Sequence, residues 1–477
     1  MGALERVQNQ INIVDPSGKL PSCKIRIIEI GPSALEKISI LTQDLVPRGS
    51  SIGLIVDKTK ISKNLLDVKQ YVLAQLSENF SVRVVELDDG HPELHASEEV
   101  IAQSIKFSQG LDAIVSVGGG TITDIGKMTT IGIEGVAHIV IQTAASVDGY
   151  TDDVSVILKN GVKRTVASRW PDAVIADTIL ISQAPKLMNI AGFGEIYSMF
   201  TAPADWRIAA LLGFERKFNW APIYLLQGVG EGIEDWSIGL KDARVESIDR
   251  LVEALAVRGI TTGVAGTTAC LSGIEHLISH MLDMNQGAHG KPIGQHGSQV
   301  GVGSLVAAVI WEFIFETFDK TDFELPDLAS DAIYREKVLK QFKPLDASGA
   351  LGEECWKDYS RKVLYWRENL PQIRSVLRNW DVHTDELKKL IKSSEQIAMS
   401  LVAAGSPIEF DALEPAIDEE LSRWAISGCH LMRDRFVGID LLEFSGKWNQ
   451  SQVDLIMFRV KETITRAKEF QMNGGKL

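Results

Sequence analysis

The sequence predicts an α/β protein in which a parallel-sheet domain is followed by an all-helical domain. The first third of the 477 residues alternates short β-branched runs with longer helical patterns, a glycine-rich turn follows the fourth run, and no convincing strand follows Pro185. Strands that alternate with helices of this length are typical of a mostly parallel sheet with helices on both faces. At roughly 150 residues per domain the length suggests three domains. The order of strands and helices indicates instead that the chain consists of two domains and an insertion.

Each predicted element has a local signal. Strands are predicted at residues 25–30, 52–56, 82–87, 112–117, 138–142 and 173–176, and helices at 33–45, 62–78, 93–108 and 122–130. The runs 153–158 and 162–167 flank Asn160-Gly161, a pair that suits the type I′ turn of a β-hairpin. We expect the hairpin to stand apart from the parallel strands.

The domain boundary is predicted near residues 183–185, where Gln183-Ala184-Pro185 breaks the pattern. This gives a nucleotide-binding α/β domain over 1–183 and a helical domain over 184–477. Amphipathic helical patterns dominate the second domain, for example at 385–401. Residues 319–351 are charged and carry Pro326 and Pro344, so they read as a loop-rich insertion with at most a short helix at 333–342.

Composition and charge exclude several classes of function. The 49 Lys and Arg against 63 Asp and Glu give a net charge of −14, which argues against a nucleic-acid partner and an anionic membrane surface. The four cysteines include no C-x-x-C pair, so a reducing compartment is expected. The N-terminus does not resemble a signal peptide, and the most apolar run, 300–311, is shorter than the roughly 20 residues of a membrane span. We therefore expect a soluble, cytoplasmic protein.

The glycine-rich turn is the first candidate binding site. Gly118, Gly119, Gly120 and Thr121 lie between an apolar strand and a helix, where backbone N–H groups can approach a pyrophosphate. The ordinary dinucleotide fingerprint would place a third glycine where Thr123 stands and would follow the first strand. A plain tight turn therefore stays an alternative.

Asp57 ends the second predicted strand and is a second candidate in this domain. Its carboxylate can accept a hydrogen bond from an adenine-ribose 2′-hydroxyl, in which case it would repel the 2′-phosphate of NADPH. The alternative is that Asp57 is a helix N-cap.

Histidines cluster in the helical domain. His276 and His280 are four residues apart on a helical pattern, which places both imidazoles on one face, and His296 follows in a glycine-rich segment. Two neutral imidazoles with a carboxylate suit a catalytic divalent metal. The alternative is that His280 packs or caps and that His296 is a loop residue; for His289 we expect a loop position.

Several segments together resemble the sn-glycerol-1-phosphate dehydrogenases of the iron-containing alcohol dehydrogenase and dehydroquinate synthase-like superfamily. The matching segments are 118–124, 143–149, 175–177, 191–194, 201–206, 272–280 and 296–303, with a weaker echo at 433–436 and 440–442. The resemblance implies a Rossmann-like nucleotide-binding domain, an all-helical dehydroquinate synthase-like domain and an active site in the cleft between them. It also implies NAD(P)H and one divalent metal, Zn²⁺ or Ni²⁺ with Fe²⁺ possible, as cofactors.

The resemblance also implies roles for individual residues. Gly119 and Gly120 would face the NAD(P) pyrophosphate, and the nicotinamide side would be lined by Asp124 and Thr143, with Ser146 nearby. The substrate would be contacted by two catalytic residues, since Asp148 would touch its hydroxyls and His280 would lie beside it. The metal would be held by three ligands, namely Glu195, His276 and His296.

Two positions depart from the family pattern. The residue after Gly194 is Glu195 where the family has Asp, and Met199 stands where the family tends to carry Lys. Glutamate is still a hard carboxylate ligand, but it is one methylene longer. Either the swap is tolerated, or the metal, the substrate or the activity is changed.

The resulting hypothesis is hydride transfer from NAD(P)H to dihydroxyacetone phosphate, which forms sn-glycerol 1-phosphate. The metal would act as a Lewis acid, and the proton would come from metal-bound water or through a relay by His280 or Asp148. For the substrate phosphate we expect the basic hairpin, with Lys159, Lys163, Arg164 and Arg169, although a solvated face is the alternative.

Three rival hypotheses remain. The chain could be a phosphate-eliminating cyclase of the dehydroquinate synthase type, could act on a related phosphorylated or phosphonate ketone, or could be a non-catalytic nucleotide-binding descendant. A homo-oligomer, a dimer or larger, is expected in each case.

Overall fold

The computed structural model describes residues 3–18, 20–159, 162–319 and 324–473. The chain divides into two compact units: unit 1 comprises Met1–Phe193 and Trp220–Gly266, and unit 2 comprises Gly194–Asn219 and Thr267–Leu477. The predicted boundary near 183–185 falls close to the end of the first segment of unit 1. The segment Trp220–Gly266 nevertheless groups with the sheet, so the compact units differ from the predicted division into 1–183 and 184–477, which stays a prediction about functional domains.

Ten strands are described, and all lie in unit 1: β1 Ile27–Gly31, β2 Ser51–Val56, β3 Ser62–Lys63, β4 Leu66–Asp67, β5 Ser81–Glu86, β6 Ala113–Gly118, β7 Ala137–Gln142, β8 Val154–Lys159, β9 Val162–Ala167 and β10 Ala173–Asp177. Six of them form one sheet in the order β1-β10-β7-β6-β2-β5, and every pairing in it is parallel. The six predicted strands of this sheet are confirmed to within two residues at each end. The antiparallel pair β8 and β9 is the predicted hairpin, whose turn at 160–161 lies outside the described residues.

The α-helices of the described chain are α1 Ala3–Val14, α2 Ile38–Gln43, α3 Val68–Ser77, α4 Glu98–Ser108, α5 Gly120–Ile131, α6 Thr178–Ser182, α7 Lys186–Ile196, α8 Ala202–Leu211, α9 Trp220–Val229, α10 Ile233–Ser237, α11 Val245–Ala265, α12 Ile274–Ala288, α13 His296–Phe318, α14 Asp331–Phe342, α15 Ala350–Glu368, α16 Leu370–Arg378, α17 Trp380–Lys388, α18 Ser394–Ala404, α19 Glu419–Gly428, α20 Gly438–Phe444 and α21 Gln450–Met472. No strand follows Asp177 in the described residues. The predicted fold class, a parallel sheet followed by helices, is confirmed.

Helices cover both faces of the sheet because successive side chains of a strand point to opposite faces. In β2, Leu54 and Val56 pack with residues of α2 and α3 on one face. Ile55 packs on the other face with residues of α4 and α5. Both faces are apolar, which explains the near-continuous hydrophobic runs of the central strands.

Four predicted helices have different boundaries. The helix predicted at 93–108 begins only at Glu98, because Ser97 is its N-cap. The segment predicted as a helix at 33–45 contains a 3₁₀ turn, Ala34–Lys37, followed by the short α2. The prediction at 62–78 begins with the small hairpin β3–β4, because Asn64 and Leu65 have positive φ, and the helix starts only at Val68. The prediction at 385–401 is two helices, because Ser393 caps a new helix with a capping box.

The longest apolar helix belongs to the core of unit 2. By length and composition α13 could cross a membrane, with a mean hydropathy of 1.6, but 72% of this stretch is buried inside the protein. The apolar helix is therefore longer than the predicted run at 300–311, and its burial identifies it as a core helix. In the predicted insertion at 319–351, α14 and the start of α15 are described, and residues 320–323 lie outside the described part.

Candidate active site

Three predicted metal ligands come together in unit 2. Glu195 lies near the end of α7, His276 in the first turn of α12, and His296 at the first position of α13. One ligand atom from each lies within 4.8 Å of the others. His276 Nε2 is 3.3 Å from Glu195 Oε1, and His296 Nε2 is 3.8 Å from Glu195 Oε2. One carboxylate and two imidazoles that converge in this way fit a divalent transition metal with open coordination positions.

The longer side chain of Glu195 does not take its oxygens away from the imidazoles. Each of its two oxygens faces a different histidine, and its side chain is almost completely buried. Met199, which stands where the family tends to have Lys, is also buried and contributes no charge here. The three side chains are those that the resemblance implies, with Glu195 in place of Asp, and their role as metal ligands stays a prediction.

A glycine contact brings two of the ligand-bearing helices together. A Cβ added at Gly194 would lie 2.2 Å from the carbonyl oxygen of Gly297, and one added at Gly301 would lie 2.9 Å from the Cα of Gly194. Gly194 directly precedes Glu195, and Gly297 directly follows His296. The absence of side chains at these positions thus lets the backbones of α7 and α13 approach closely enough for the two ligands to meet.

The other nitrogen of each imidazole has a partner of its own. The Glu275 carboxylate lies 2.9 Å from His276 Nδ1 and also accepts hydrogen bonds from the Gly273 N–H and the Thr201 hydroxyl. Ser279 Oγ lies 3.0 Å from His296 Nδ1 and donates to Gln299 Oε1. Partners of this kind fix the ring orientation of metal-binding histidines.

Electrostatics reinforce the contact between His276 and the two glutamates. Burial alone would lower the pKa of His276, but the hydrogen bonds to Glu195 and Glu275 outweigh burial and raise the pKa to about 9. This shift in pKa favours the charged form of His276, in which both ring nitrogens carry a proton. A bound metal would replace one of these protons, because imidazole coordinates in its neutral form.

His280 lies beside the three ligands without joining them. Its ring centroid is 6.3 Å from that of His276 and 5.7 Å from that of His296, with the latter pair stacked at 27°. His289, in contrast, is exposed at the end of α12, where its Nδ1 contacts the Asn285 carbonyl. His289 is the C-cap that follows the last residue of α12, which agrees with the loop position expected for it.

In unit 1 the glycine turn forms the start of α5. Gly118 ends β6, Gly119 is the N-cap, and α5 begins at Gly120. The first N–H groups of a helix have no intrahelical acceptor and attract anions. A Cβ added at Gly119 would meet only Met188 Cε and the Tyr150 hydroxyl, both at about 3.9 to 4.0 Å, so the backbone there is open to a ligand.

The neighbouring candidates fall around this turn. Thr121 is exposed on the first turn of α5, whereas Thr143 and Ser146 are buried in the loop after β7. The Thr143 N–H donates to the Gly118 carbonyl at 3.3 Å, which joins this loop to the glycine turn.

Asp124 belongs to a buried ion cluster. Its carboxylate accepts a hydrogen bond from the Val156 N–H at 3.1 Å and lies 3.7 Å from Lys127 Nζ. Lys127 is completely buried, forms a close ion pair with Asp152 and donates to the Val154 carbonyl. Burial raises the pKa of Asp124 to about 6 and that of Asp152 to about 7, although Lys127 opposes both shifts. The cluster ties α5 to the loop that precedes β8.

Asp148 has a cation partner that the sequence pattern did not indicate. Arg258 Nε lies 3.3 Å from Asp148 Oδ2, and the arginine side chain is 1% exposed while that of Asp148 is 21% exposed. A Cβ at the next residue, Gly259, would lie 2.5 Å from the Asp148 carbonyl oxygen, so α11 packs tightly on this loop.

Asp57 is not a helix N-cap. Its carboxylate accepts hydrogen bonds from the Thr59 N–H at 3.0 Å and the Thr59 hydroxyl at 2.9 Å, and it forms an ion pair with Lys69 Nζ at 3.0 Å. The cap of α3 is Asp67. The N-cap interpretation of Asp57 is therefore wrong, and the role in nucleotide binding stays a prediction.

The predicted phosphate-binding cations differ in their surroundings. Lys159 and Arg164 are exposed on β8 and β9. The side chain of Lys163 lies outside the described residues. Arg169 forms an ion pair with Asp172 at 2.8 Å, so it is committed to the loop before β10.

Sequence reasoning assigned no role to Lys127, Arg258, Glu275, Ser279 or Gln299. Three of them had a local signal: Lys127 is three residues after Asp124 in the same helix, Ser279 is three after His276, and Gln299 is three after His296. Arg258 had none, because its partner lies 110 positions away.

The sheet-containing part of the chain and the fold as a whole are similar to those of known proteins. Residues 29–185 match the family described as iron-containing alcohol dehydrogenase. The crystal structure of glycerol dehydrogenase from Schizosaccharomyces pombe aligns with a TM-score of 0.58 and 16% identity, covering 96% of this chain and 93% of that one. The fold is therefore that of the glycerol dehydrogenase, and the family match lies within unit 1, which contains the parallel sheet.

Closer relatives narrow the class. The glycerol-1-phosphate dehydrogenase [NAD(P)+] of Pyrococcus horikoshii is 33% identical over 246 residues, which cover 51% of this chain and 68% of the relative. That of Haloquadratum walsbyi is 34% identical over 256 residues, which cover 52% of this chain and 71% of the relative. The chain belongs to the glycerol-1-phosphate dehydrogenase family.

Proposed function

We propose that this protein is a metal-dependent NAD(P)H oxidoreductase that reduces dihydroxyacetone phosphate, or a closely related phosphorylated or phosphonate ketone, to the corresponding alcohol, sn-glycerol 1-phosphate in the first case. The observation that carries the proposal is the convergence of Glu195, His276 and His296 in a chain of this family. The relatives are named as dehydrogenases, which favours this reaction over the phosphate-eliminating cyclisation.

The metal would be held by Glu195 Oε, His276 Nε2 and His296 Nε2. Nitrogen and oxygen donors of this kind suit Zn²⁺, Ni²⁺ and Fe²⁺ alike, and a bound divalent metal supplies Lewis-acid polarisation of a carbonyl group. The hydrogen bonds of His276 Nδ1 with Glu275 and of His296 Nδ1 with Ser279 orient the two rings, so that the Nε2 atoms face the shared carboxylate. The retained geometry supports the interpretation of Glu195 as a tolerated swap.

The dinucleotide would be held through backbone groups of unit 1. The open turn at Gly118, Gly119 and Gly120, with Thr121 beside it, offers N–H groups at a helix N-terminus to a pyrophosphate. Thr143, Ser146 and Asp124 would flank the nicotinamide side. This arrangement explains how an acidic chain can accept an anionic cofactor without a basic surface.

Asp148 and His280 are the proposed catalytic residues. Asp148 is one-fifth exposed and held by Arg258, so its carboxylate is oriented to accept hydrogen bonds from substrate hydroxyls. His280 lies next to the ligand set and can relay a proton to a product alkoxide. For the substrate phosphate we propose Lys159, Lys163 and Arg164 of the hairpin.

The deciding experiment measures NADH oxidation with dihydroxyacetone phosphate. We expect activity that EDTA abolishes and that Zn²⁺ or Ni²⁺ restores, and a loss of at least 100-fold in kcat/KM for His276→Ala, because one of three ligands is removed. His289→Ala is the matched control, since His289 is the exposed C-cap residue of the helix that carries His276, and this variant should leave kcat/KM unchanged. Full activity of His276→Ala would overturn the metal assignment.

Three further measurements separate the rivals. A panel of phosphorylated, phosphonate and unphosphorylated ketones identifies the substrate class, and release of inorganic phosphate without net NADH consumption would indicate the cyclase. Absence of stoichiometric metal together with no rescue would indicate a nucleotide-binding protein without catalysis.

Light scattering tests the proposed homo-oligomer, and fractionation of cells tests the proposed cytoplasmic location.

A further inference from the structure

The carboxyl ends of two neighbouring strands bring Asp57 next to the glycine turn. β2 and β6 are adjacent and parallel, and their paired residues end with Ile55 opposite Ser116. Asp57 directly follows β2 and Gly118 is the last residue of β6, so both lie at the carboxyl edge of the sheet. Neighbouring strands lie about 4.8 Å apart. In open parallel sheets, nucleotides bind outside these carboxyl ends. A dinucleotide with its pyrophosphate at Gly118–Gly120 therefore passes Asp57 with its adenosine ribose.

The charge of Asp57 is matched by a lysine that is fixed in place. Lys69 Nζ lies 3.0 Å from Asp57 Oδ1 and also donates to the backbone carbonyls of Asp57 and Thr59. These three acceptors use all three donors of an ammonium group. The two side chains are only 14% and 18% exposed, so solvent screens the pair less than it would screen a surface ion pair.

The next strand ends in a second paired carboxylate. Asp88, just after β5, forms an ion pair with Lys58. β5 is the other neighbour of β2. Each of these two carboxylates on the adenosine side therefore has a lysine partner.

We infer that Lys69 is a positioning residue that sets cofactor preference: by holding and neutralising the Asp57 carboxylate, it allows NADPH to bind as well as NADH. Asp57 keeps free acceptor sites for a ribose hydroxyl of NADH, while its charge no longer repels a 2′-phosphate. The expectation that Asp57 excludes NADPH is thereby reversed. This inference rests on the proposed use of NAD(P)H, but it concerns nucleotide binding alone.

The test titrates the full-length protein with NADH and NADPH, without ketone, and follows protein fluorescence or heat. For wild type we expect dissociation constants for the two nucleotides within about tenfold of each other. For Lys69→Met, NADPH should bind at least tenfold more weakly, about 1.4 kcal/mol, with NADH within threefold of wild type. Lys69→Gln keeps a donor without the charge and should show the same change in the ratio, which covers the case that Lys69→Met fails to fold.

Two controls separate local charge from general effects. The double variant Asp57→Asn/Lys69→Met removes both charges and should recover NADPH binding. Lys37→Met makes the same substitution in an ion pair with Glu29 on β1, at the opposite edge of the sheet, and should leave the ratio unchanged.

The outcomes are distinguishable. An unchanged NADPH-to-NADH ratio in both Lys69 variants, an equal shift in Lys37→Met, or wild type that binds NADH only would each overturn the role of Lys69 and leave the proposed dehydrogenase intact. Wild type that binds neither nucleotide would overturn both.

Discussion

Replacing Gly194 by alanine should disrupt the metal site without touching a ligand. The added Cβ would lie 2.2 Å from the carbonyl oxygen of Gly297 and 3.0 Å from its carbon, and both are backbone atoms. Neither can rotate away as a flexible side chain would. The clash is relieved only if the backbone that carries Glu195 and the backbone that carries His296 move apart.

The size of the effect follows from that contact. Ordinary contacts begin at about 3.4 Å, so the 2.2 Å approach must open by about 1.2 Å. Ligand distances in metal sites hold to within about 0.2 Å, so such a displacement should lower metal affinity at least about 100-fold. Overpacking of this kind should also lower the free energy of unfolding by about 1–3 kcal/mol.

Metal content after purification, competition with a chromophoric chelator and urea unfolding measure these changes. Gly287→Ala is the control, because a Cβ there meets nothing within 4 Å in α12, and the variant should gain about 0.5–1 kcal/mol. If Gly194→Ala kept wild-type metal affinity and stability, the glycine contact would not be what assembles the site.

Three other predictions follow from buried partners. Ser279→Ala should lower metal affinity about 10–100-fold because His296 loses its orienting contact, and an unchanged affinity in chelator competition would contradict this. Lys127→Met should lower the free energy of unfolding by about 3–5 kcal/mol because Asp152 loses its counter-charge, and Asp152→Asn in that background should recover part of the loss in urea unfolding. His138 has its pKa lowered to about 3 by burial, with Lys127 and Arg169 adding to the shift. The neutral His138 imidazole therefore stabilises the folded state fully above about pH 6.5, and the free energy of unfolding falls by about 1.4 kcal/mol per pH unit as the pH falls from there toward 3. His138→Gln should remove this dependence on pH. If the free energy of unfolding followed parallel pH profiles in the variant and wild type, His138 would not be its cause.

The elements predicted well are those with a strong local pattern. The central strands are buried on both faces, so each leaves a continuous β-branched run, as at residues 113–118. The proposed metal ligands His276 and His296 stood out because histidines are few and the first lies on a helical pattern. Such signals need only neighbouring residues, and therefore a single sequence contains them.

The contacts that fix the site are non-local and leave no such pattern. Arg258 reaches Asp148 from a helix 110 positions further along, and neither residue's neighbours reveal the other. The hairpin at residues 62–67 was predicted as helix because its composition is compatible with one; positive φ at Asn64 and Leu65 decides otherwise. Whether Glu195 reaches both imidazoles depends on how closely two helices approach, which no spacing in the sequence states.

The net charge of −14 now has a structural interpretation. Every acidic candidate of the site has a cationic or imidazole partner within 4 Å, namely Asp57 with Lys69, Asp124 with Lys127, Asp148 with Arg258, and Glu195 with two histidines. A carboxylate whose charge is matched locally can still accept hydrogen bonds or coordinate a metal, but it repels an incoming phosphate much less. The chain therefore does not need a basic surface to bind a dinucleotide, and a basic surface is proposed only for the substrate phosphate, at the hairpin of β8 and β9. It follows that removing a partner such as Lys69 or Arg258 should weaken the binding of anionic ligands more than removing an exposed lysine outside that hairpin, although the change in net charge is the same.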